Sequence, residues 1–105
     1  MIDKQTNDIL VELKNKILQK YKLTEMRVFG SKARGDSGSH SDIDIFVRIS
    51  DASRKAEEDI FDLAYETELK HGCLIDIFVF DDSHFNGIHF WTPVYQKILV
   101  EGTII

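Results

Sequence analysis

The sequence predicts an α+β fold: a two-layer structure in which a small mixed sheet carries helices mainly on one face. Three observations predict it. Two long segments place apolar residues at helical spacing. Three short runs rich in Ile, Val and Phe stand between and after them. A final segment, "TPVYQKILVEG", carries helix signals at both ends. The order reads αβ(α)βαβα, and the 105 residues fit one domain spanning 1–105.

From Asp3 to about Tyr21, Leu10, Leu13 and Ile17 recur on one side with Asn, Lys and Glu between them, the pattern of an amphipathic helix. Asp3 or Thr6 is its cap. "EMRVF", Glu25–Phe29, reads as a strand ended by Gly30. "SKARGD" reads as a short helical turn and "SGSHS" as a loop. "DIDIFVRI", Asp42–Ile49, is a β-rich run. Ser53–Lys70 is a second amphipathic helix, with Ala56, Ile60, Leu63, Ala64 and Thr67 on one face and Gly72 suited to a left-handed cap. "CLIDIFVF", Cys73–Phe80, is a third strand. Thr92 as cap, Pro93 at the first helical position and Gly102 past the end frame the last helix. The tail "TII" adds an edge strand or docks as coil.

Composition excludes several classes. Thirteen basic and eighteen acidic residues leave a net charge of −5, which argues against bulk nucleic-acid binding. It leaves a nucleotide open, because bound metal ions mask local negative charge. Cys73 is the one cysteine, so neither an intrachain disulfide nor a cysteine zinc cluster is available. The polar N-terminus has no signal-like apolar region, and no apolar run suits a membrane span. The expectation is a cytoplasmic protein.

Asp42 and Asp44 lie two apart on a predicted strand, so both carboxylates share one face while Ile43 and Ile45 take the other. Asp76, between Ile75 and Ile77, repeats the pattern on the third strand. The intervening helix is long enough for a crossover, which makes the two strands neighbours and brings three carboxylates to one side. Such charges repel, and desolvating them is costly. Mg²⁺ offsets that cost: it takes a few carboxylate oxygens and completes its shell with water and phosphate. An Asp-x-Asp alone more often faces water. The turn before it distinguishes this one.

That turn is "GSKARG". Gly30 and Ser31 close a strand and offer backbone N–H groups and a hydroxyl to a phosphate. Lys32 and Arg34 reach the same region, although Arg34 equally suits anchoring the loop through carbonyls. Gly35 permits a left-handed exit. The whole stretch "GSKARGDSGSHSDIDIFV" resembles the signature of the DNA polymerase beta-like nucleotidyltransferases. Gly30, Ser31, Ala33, Arg34, Gly35, Ser41, Asp42, Ile43, Asp44 and Ile45 match its minimal nucleotidyltransferase branch. Asp76 stands where that family's third carboxylate is expected.

The resemblance implies a palm-like catalytic sheet and a reaction. Asp42 and Asp44 hold a pair of Mg²⁺ ions, and Asp76 joins them. Gly30 and Ser31, with Lys32 and Arg34, grip the triphosphate of ATP. Asp76 accepts the proton of an acceptor hydroxyl, which attacks the α-phosphorus as pyrophosphate leaves. Catalysis is then positioning and charge neutralisation. The resemblance also implies a partner. Minimal nucleotidyltransferases pair with small helical HEPN toxins and act as antitoxins by placing AMP on a toxin tyrosine. Two alternatives stay open: an antitoxin or adaptor that only occludes its partner, and an aminoglycoside-type enzyme with an acceptor cleft built by a homo-oligomer. The choice of ATP rests on the resemblance alone.

The remaining candidates read as structural. His40, in the loop before Asp42, reads as a solvated histidine, with contact to the nucleotide or its phosphate as the alternative. His84 and His89 do not align on one helix face. His71 sits at a helix C-terminus, where positive charge is favoured. Lys14, Lys16, Lys20 and Lys22 form a solvated face of the first helix and its exit. Arg48 shares the phase of Asp42 and Asp44 and meets either a phosphate or an acidic neighbour. Phe85, Phe90 and Trp91 either cap the sheet or form a partner surface.

Overall fold

A computed structural model of the chain describes residues 2–30, 42–85 and 93–105. Helix α1 runs Lys4–Leu18, and the Asp3 carboxylate caps it by accepting from the Thr6 N–H at 2.7 Å. Asp3 is therefore the cap. Thr6 is buried on the apolar face with Ile9, Leu10, Leu13 and Ile17. Strand β1, Leu23–Phe29, begins earlier than the sequence suggests, with an irregular register between Leu23 and Glu25. Strand β2 spans Ile43–Ile49. Helix α2 spans Arg54–His71, opened by Ser53 accepting from the Ala56 N–H at 3.1 Å. Gly72 closes it at φ +64, its N–H bonded to the Glu68 carbonyl at 2.8 Å. Strand β3 spans Ile75–Asp81 and passes into a 3₁₀ turn, Asp82–Phe85. Helix α3, Pro93–Glu101, starts at its proline, and strand β4 is Thr103–Ile104. The expected cap Thr92 lies outside the described residues.

Among the described residues the strands form one sheet in the order β3-β2-β1-β4. β1 is antiparallel to β2 and to β4, and β2 is parallel to β3. The parallel pair needs a crossover, and α2 supplies it. The tail is thus an edge strand, with Arg27 opposite Ile104.

Alternation along the strands divides the sheet. Ile43, Ile45, Val47 and Ile49 of β2, with Met26, Val28 and Ile75, face α1 and α2 and pack against Leu10, Leu13, Ile17 and Ile60. Each fully buried aliphatic side chain of this kind contributes about 2 kcal/mol. On the opposite face Phe46 is sealed by Ile98 of α3, flanked by Phe29 and Phe80. Buried from both sides, β2 reads as a nearly continuous apolar run into which only Asp44 and Arg48 intrude. Among the described residues no helix is long and apolar enough to cross a membrane.

An ionic cluster ties α1 to α2. Glu12 accepts from Lys70 Nζ at 2.6 Å and meets His71 Nε2 at 3.0 Å. The Lys70 hydrogen bond, then that of His71, draws the Glu12 carboxyl from the ordinary 4.5 down to about 2. Its folded value lies below its unfolded one, so its contribution is present above about pH 4.5 and lost as pH falls towards 2. Glu12→Gln is expected to flatten the acid limb of thermal stability in that window. The difference from the parent should shrink as salt is added, because the cluster is at the surface. Melting curves at low and high ionic strength check this.

Candidate active site

The face of the sheet turned away from α1 and α2 is organised in rows by the strand register. Phe29, Asp44 and Asp76 lie side by side on β1, β2 and β3. The next row is Arg27, Phe46 and Phe78, and the one after it Glu25, Arg48 and Phe80. The first row holds two of the three expected carboxylates in direct register, as the alternation of both strands requires. Asp42 does not lie on the strand: β2 begins at Ile43, whose N–H bonds the Leu74 carbonyl at 2.9 Å. It stands at the mouth of the row, exposed, as is Asp76, while Asp44 between them is half-buried.

Asp44 feels the charge of both other carboxylates. The Asp44 carboxyl is raised above the usual carboxylate range, first by burial, then by the charge of Asp76, then by that of Asp42. An aromatic floor lies beside it: Phe46 and Phe80 form a tilted pair with centroids 5.3 Å apart, and Phe29 and Phe78 one at 5.8 Å. Among the described residues no group of three or more His, Cys, Asp or Glu side chains closes tightly enough to hold a metal ion unaided. The donor chemistry nonetheless fits a hard divalent cation: a half-buried carboxylate disfavoured by its neighbours' charges is stabilised by positive charge. Mg²⁺ in particular takes only one or two protein carboxylates and leaves the rest of its shell to water and phosphate.

Gly30, at the end of β1, lies against this row. Its φ is +70, and a Cβ there would stand 2.5 Å from Asp44 Oδ2. Only a glycine lets the backbone pass this close to the carboxylate. Ser31, Lys32 and Arg34 lie outside the described residues, as do Ala33, Gly35, His40, Ser41, His89, Phe90 and Trp91.

Arg48 meets an acidic neighbour. Its Nε donates to Asp82 Oδ1 at 2.9 Å, and Thr24 Oγ1 donates to Asp82 Oδ2 at 2.9 Å, which locks the end of the sheet far from Asp44. Half-buried Cys73 packs at the margin of the helix-side core. A cavity of about 170 Å³ lies at that far end too, lined by Tyr21, Ile49 and Ser53 among others, and the carboxylates take no part in it. Sequence reasoning passed over Phe29 and Phe78, which wall the carboxylate row. Their signal was available, since Phe29 directly precedes Gly30 and Phe78 shares the strand phase of Asp76.

A model of the nucleotidyltransferase domain matches residues 10–105. The chain belongs to the nucleotidyltransferase domain family. It is 31% identical over 96 residues to the "Putative protein adenylyltransferase MJ0604" of Methanocaldococcus jannaschii, covering 90% of this chain and 91% of that one. The fold of this nucleotidyltransferase is similar to that of a chain in the crystal structure of a toxin-antitoxin with AMP-PNP. That match has TM-score 0.62 and 21% identity over 92% of this chain and 69% of the other. It is also similar to a chain of the tri-AMPylated Shewanella oneidensis HEPN toxin in complex with MNT antitoxin, with TM-score 0.57 and 20% identity over 97% and 71%. As a member of this family the chain is an enzyme, a nucleotidyltransferase.

Proposed function

We propose that this nucleotidyltransferase moves AMP from ATP to a tyrosine hydroxyl of a small helical HEPN-type protein, and so acts as the antitoxin of a toxin–antitoxin pair. The observation that carries the reading is Asp44. It is held half-buried in register with Asp76 and against the backbone of Gly30, which is costly unless a cation is its working partner. A partner that works by occlusion alone has no need of such a group. The relative in Methanocaldococcus jannaschii supports protein adenylylation by its name, and the HEPN complex supports the class of acceptor.

In this reading Asp42, Asp44 and Asp76 hold Mg²⁺, and Gly30, Ser31, Lys32 and Arg34 hold the triphosphate. Bound Mg²⁺ would neutralise the phosphates and sharpen the acceptor oxygen as a nucleophile. Gly30 presents backbone without a side chain, so the phosphates and Asp44 can share a small space. Asp76, exposed at the edge of the row, takes the proton of the attacking tyrosine. The aromatic floor lowers the local dielectric and strengthens each of these electrostatic contacts.

The test is incubation of the purified protein with α-labelled ATP and Mg²⁺, with and without the protein encoded by the adjacent gene. The expected result is a label on that protein, localised by mass spectrometry to a tyrosine. A tight complex that never acquires the label would overturn the transfer reading.

A further inference from the structure

Helix α2 buries Ala56, Ile60, Ala64 and Thr67 against the sheet, and its opposite side is not simply solvated. Phe61, Tyr65 and Leu69 recur at four-residue spacing and are 45%, 60% and 67% exposed. This spacing aligns them in one stripe along the helix. Glu58, Asp62 and Glu66 form a second stripe beside it, also exposed and offset by three residues. The charge is concentrated here. From Ala56 to Leu69 the helix has six carboxylates and no basic side chain; Asp59 and Glu68 turn inward to Tyr21 and to the Ile75 N–H, which leaves Glu58, Asp62 and Glu66 as the exposed charge of this face. Arg54 pairs with Glu58 at 3.3 Å only at the start of the stripe.

We infer that this face of α2 is the docking surface for the acceptor protein, and that it receives an amphipathic helix whose apolar stripe is rimmed by lysine or arginine. The inference rests on the acceptor being a protein. Charge decides the occupant. A second copy of this chain laid on the same face would set carboxylate against carboxylate, while a basic helix buries the aromatic and aliphatic side chains and neutralises the rim. Direction agrees. The stripe ends at Leu69, near Gly72, and the chain turns there into β3, whose second residue is Asp76. Exposed Leu74 stands at the same end. A helix held along α2 therefore has one of its ends beside the edge of the sheet that carries the carboxylates, although α2 itself covers the other face. Holding and chemistry are then separate surfaces.

Affinity for the protein of the adjacent gene is measured without ATP, by calorimetry, for the parent, Tyr65→Ser and Asp62→Lys/Glu66→Lys. AMP transfer is measured in parallel. The substituted side chains are exposed, and circular dichroism melts confirm that both variants fold. Both are expected to raise Kd about tenfold or more and KM for the acceptor with it, leaving kcat unchanged, and added salt should weaken the parent complex. An unchanged Kd in both variants, or no complex with the parent, overturns the docking surface even if AMP is transferred. Weakened binding in the variants with no transfer by any of them keeps the surface and removes the transfer reading. A dimer of this chain alone that Tyr65→Ser dissociates assigns the stripe to a second copy and overturns the inference.

Discussion

Asp44→Ala is expected to abolish AMP transfer, by about 10³-fold or more, while the protein melts at a higher temperature than its parent. The activity loss follows from removing the half-buried carboxylate of the row, worth about 4 kcal/mol of barrier at that factor. The stability gain follows from the raised Asp44 carboxyl, which burial and the charges of Asp76 and Asp42 disfavour. The sign is specific. A carboxylate whose folded pKa exceeds its unfolded one holds its proton more tightly in the native state. Native stability is then greatest below the unfolded value and falls as pH rises through the folded value. Removing the side chain removes that slope. Single-turnover transfer, and melting temperature measured without divalent ions from about pH 4 to about pH 7, check both halves. Undiminished transfer refutes the catalytic role, and a melting temperature that falls at neutral pH refutes the electrostatic account. Asp44→Asn, which keeps the shape, should reproduce both effects.

Gly30→Ala carries the second large effect. A left-handed backbone costs a residue with a Cβ about 1–2 kcal/mol. The new methyl would also stand 2.5 Å from Asp44 Oδ2, so carboxylate or backbone must move. Displacing a catalytic group by a fraction of an ångström to an ångström costs about 10²-fold in rate. The steric origin has its own signature. In the Asp44→Ala background the obstructing oxygen is gone, so Gly30→Ala should destabilise less there than in the parent. A double-mutant cycle on thermal or urea unfolding reads that coupling. Equal destabilisation in both backgrounds would assign the whole effect to backbone conformation.

Much of this fold was legible because its signals are local. The apolar spacing of α1 and α2, the proline opening α3 and Gly72 closing α2 each act within a turn or two of chain. The same-face placement of Asp44 and Asp76 follows from strand alternation, and the adjacency of their strands from the α2 crossover. Where two local solutions competed, tertiary burial chose: Thr6 was as good a cap as Asp3, but its position faces the core. Asp42 reads as a strand residue because β-propensity does not mark where a partner strand begins, and Leu74 sets that point. The Glu12 cluster and the Arg48–Asp82 pair join residues far apart in sequence, and no pattern within one element announces them. The apolar stripe of α2 was hidden for another reason: the same helix has a better apolar face, and periodicity reports the stronger of the two.

The short strand β4 sets the order in which the molecule can be completed. It pairs with β1, and beside it the Ile105 carbonyl accepts from Lys14 Nζ at 2.5 Å, a contact between residues 91 apart in sequence. The other neighbour of β1 is β2, joined to it by a much shorter stretch of chain. Loop closure therefore favours the β1–β2 pair first and the β3 crossover after it, with β4 last. During synthesis β1 waits with one edge bare while the rest of the sheet assembles around it. Until β4 docks, that edge of β1 is a strand edge on which another chain could pair.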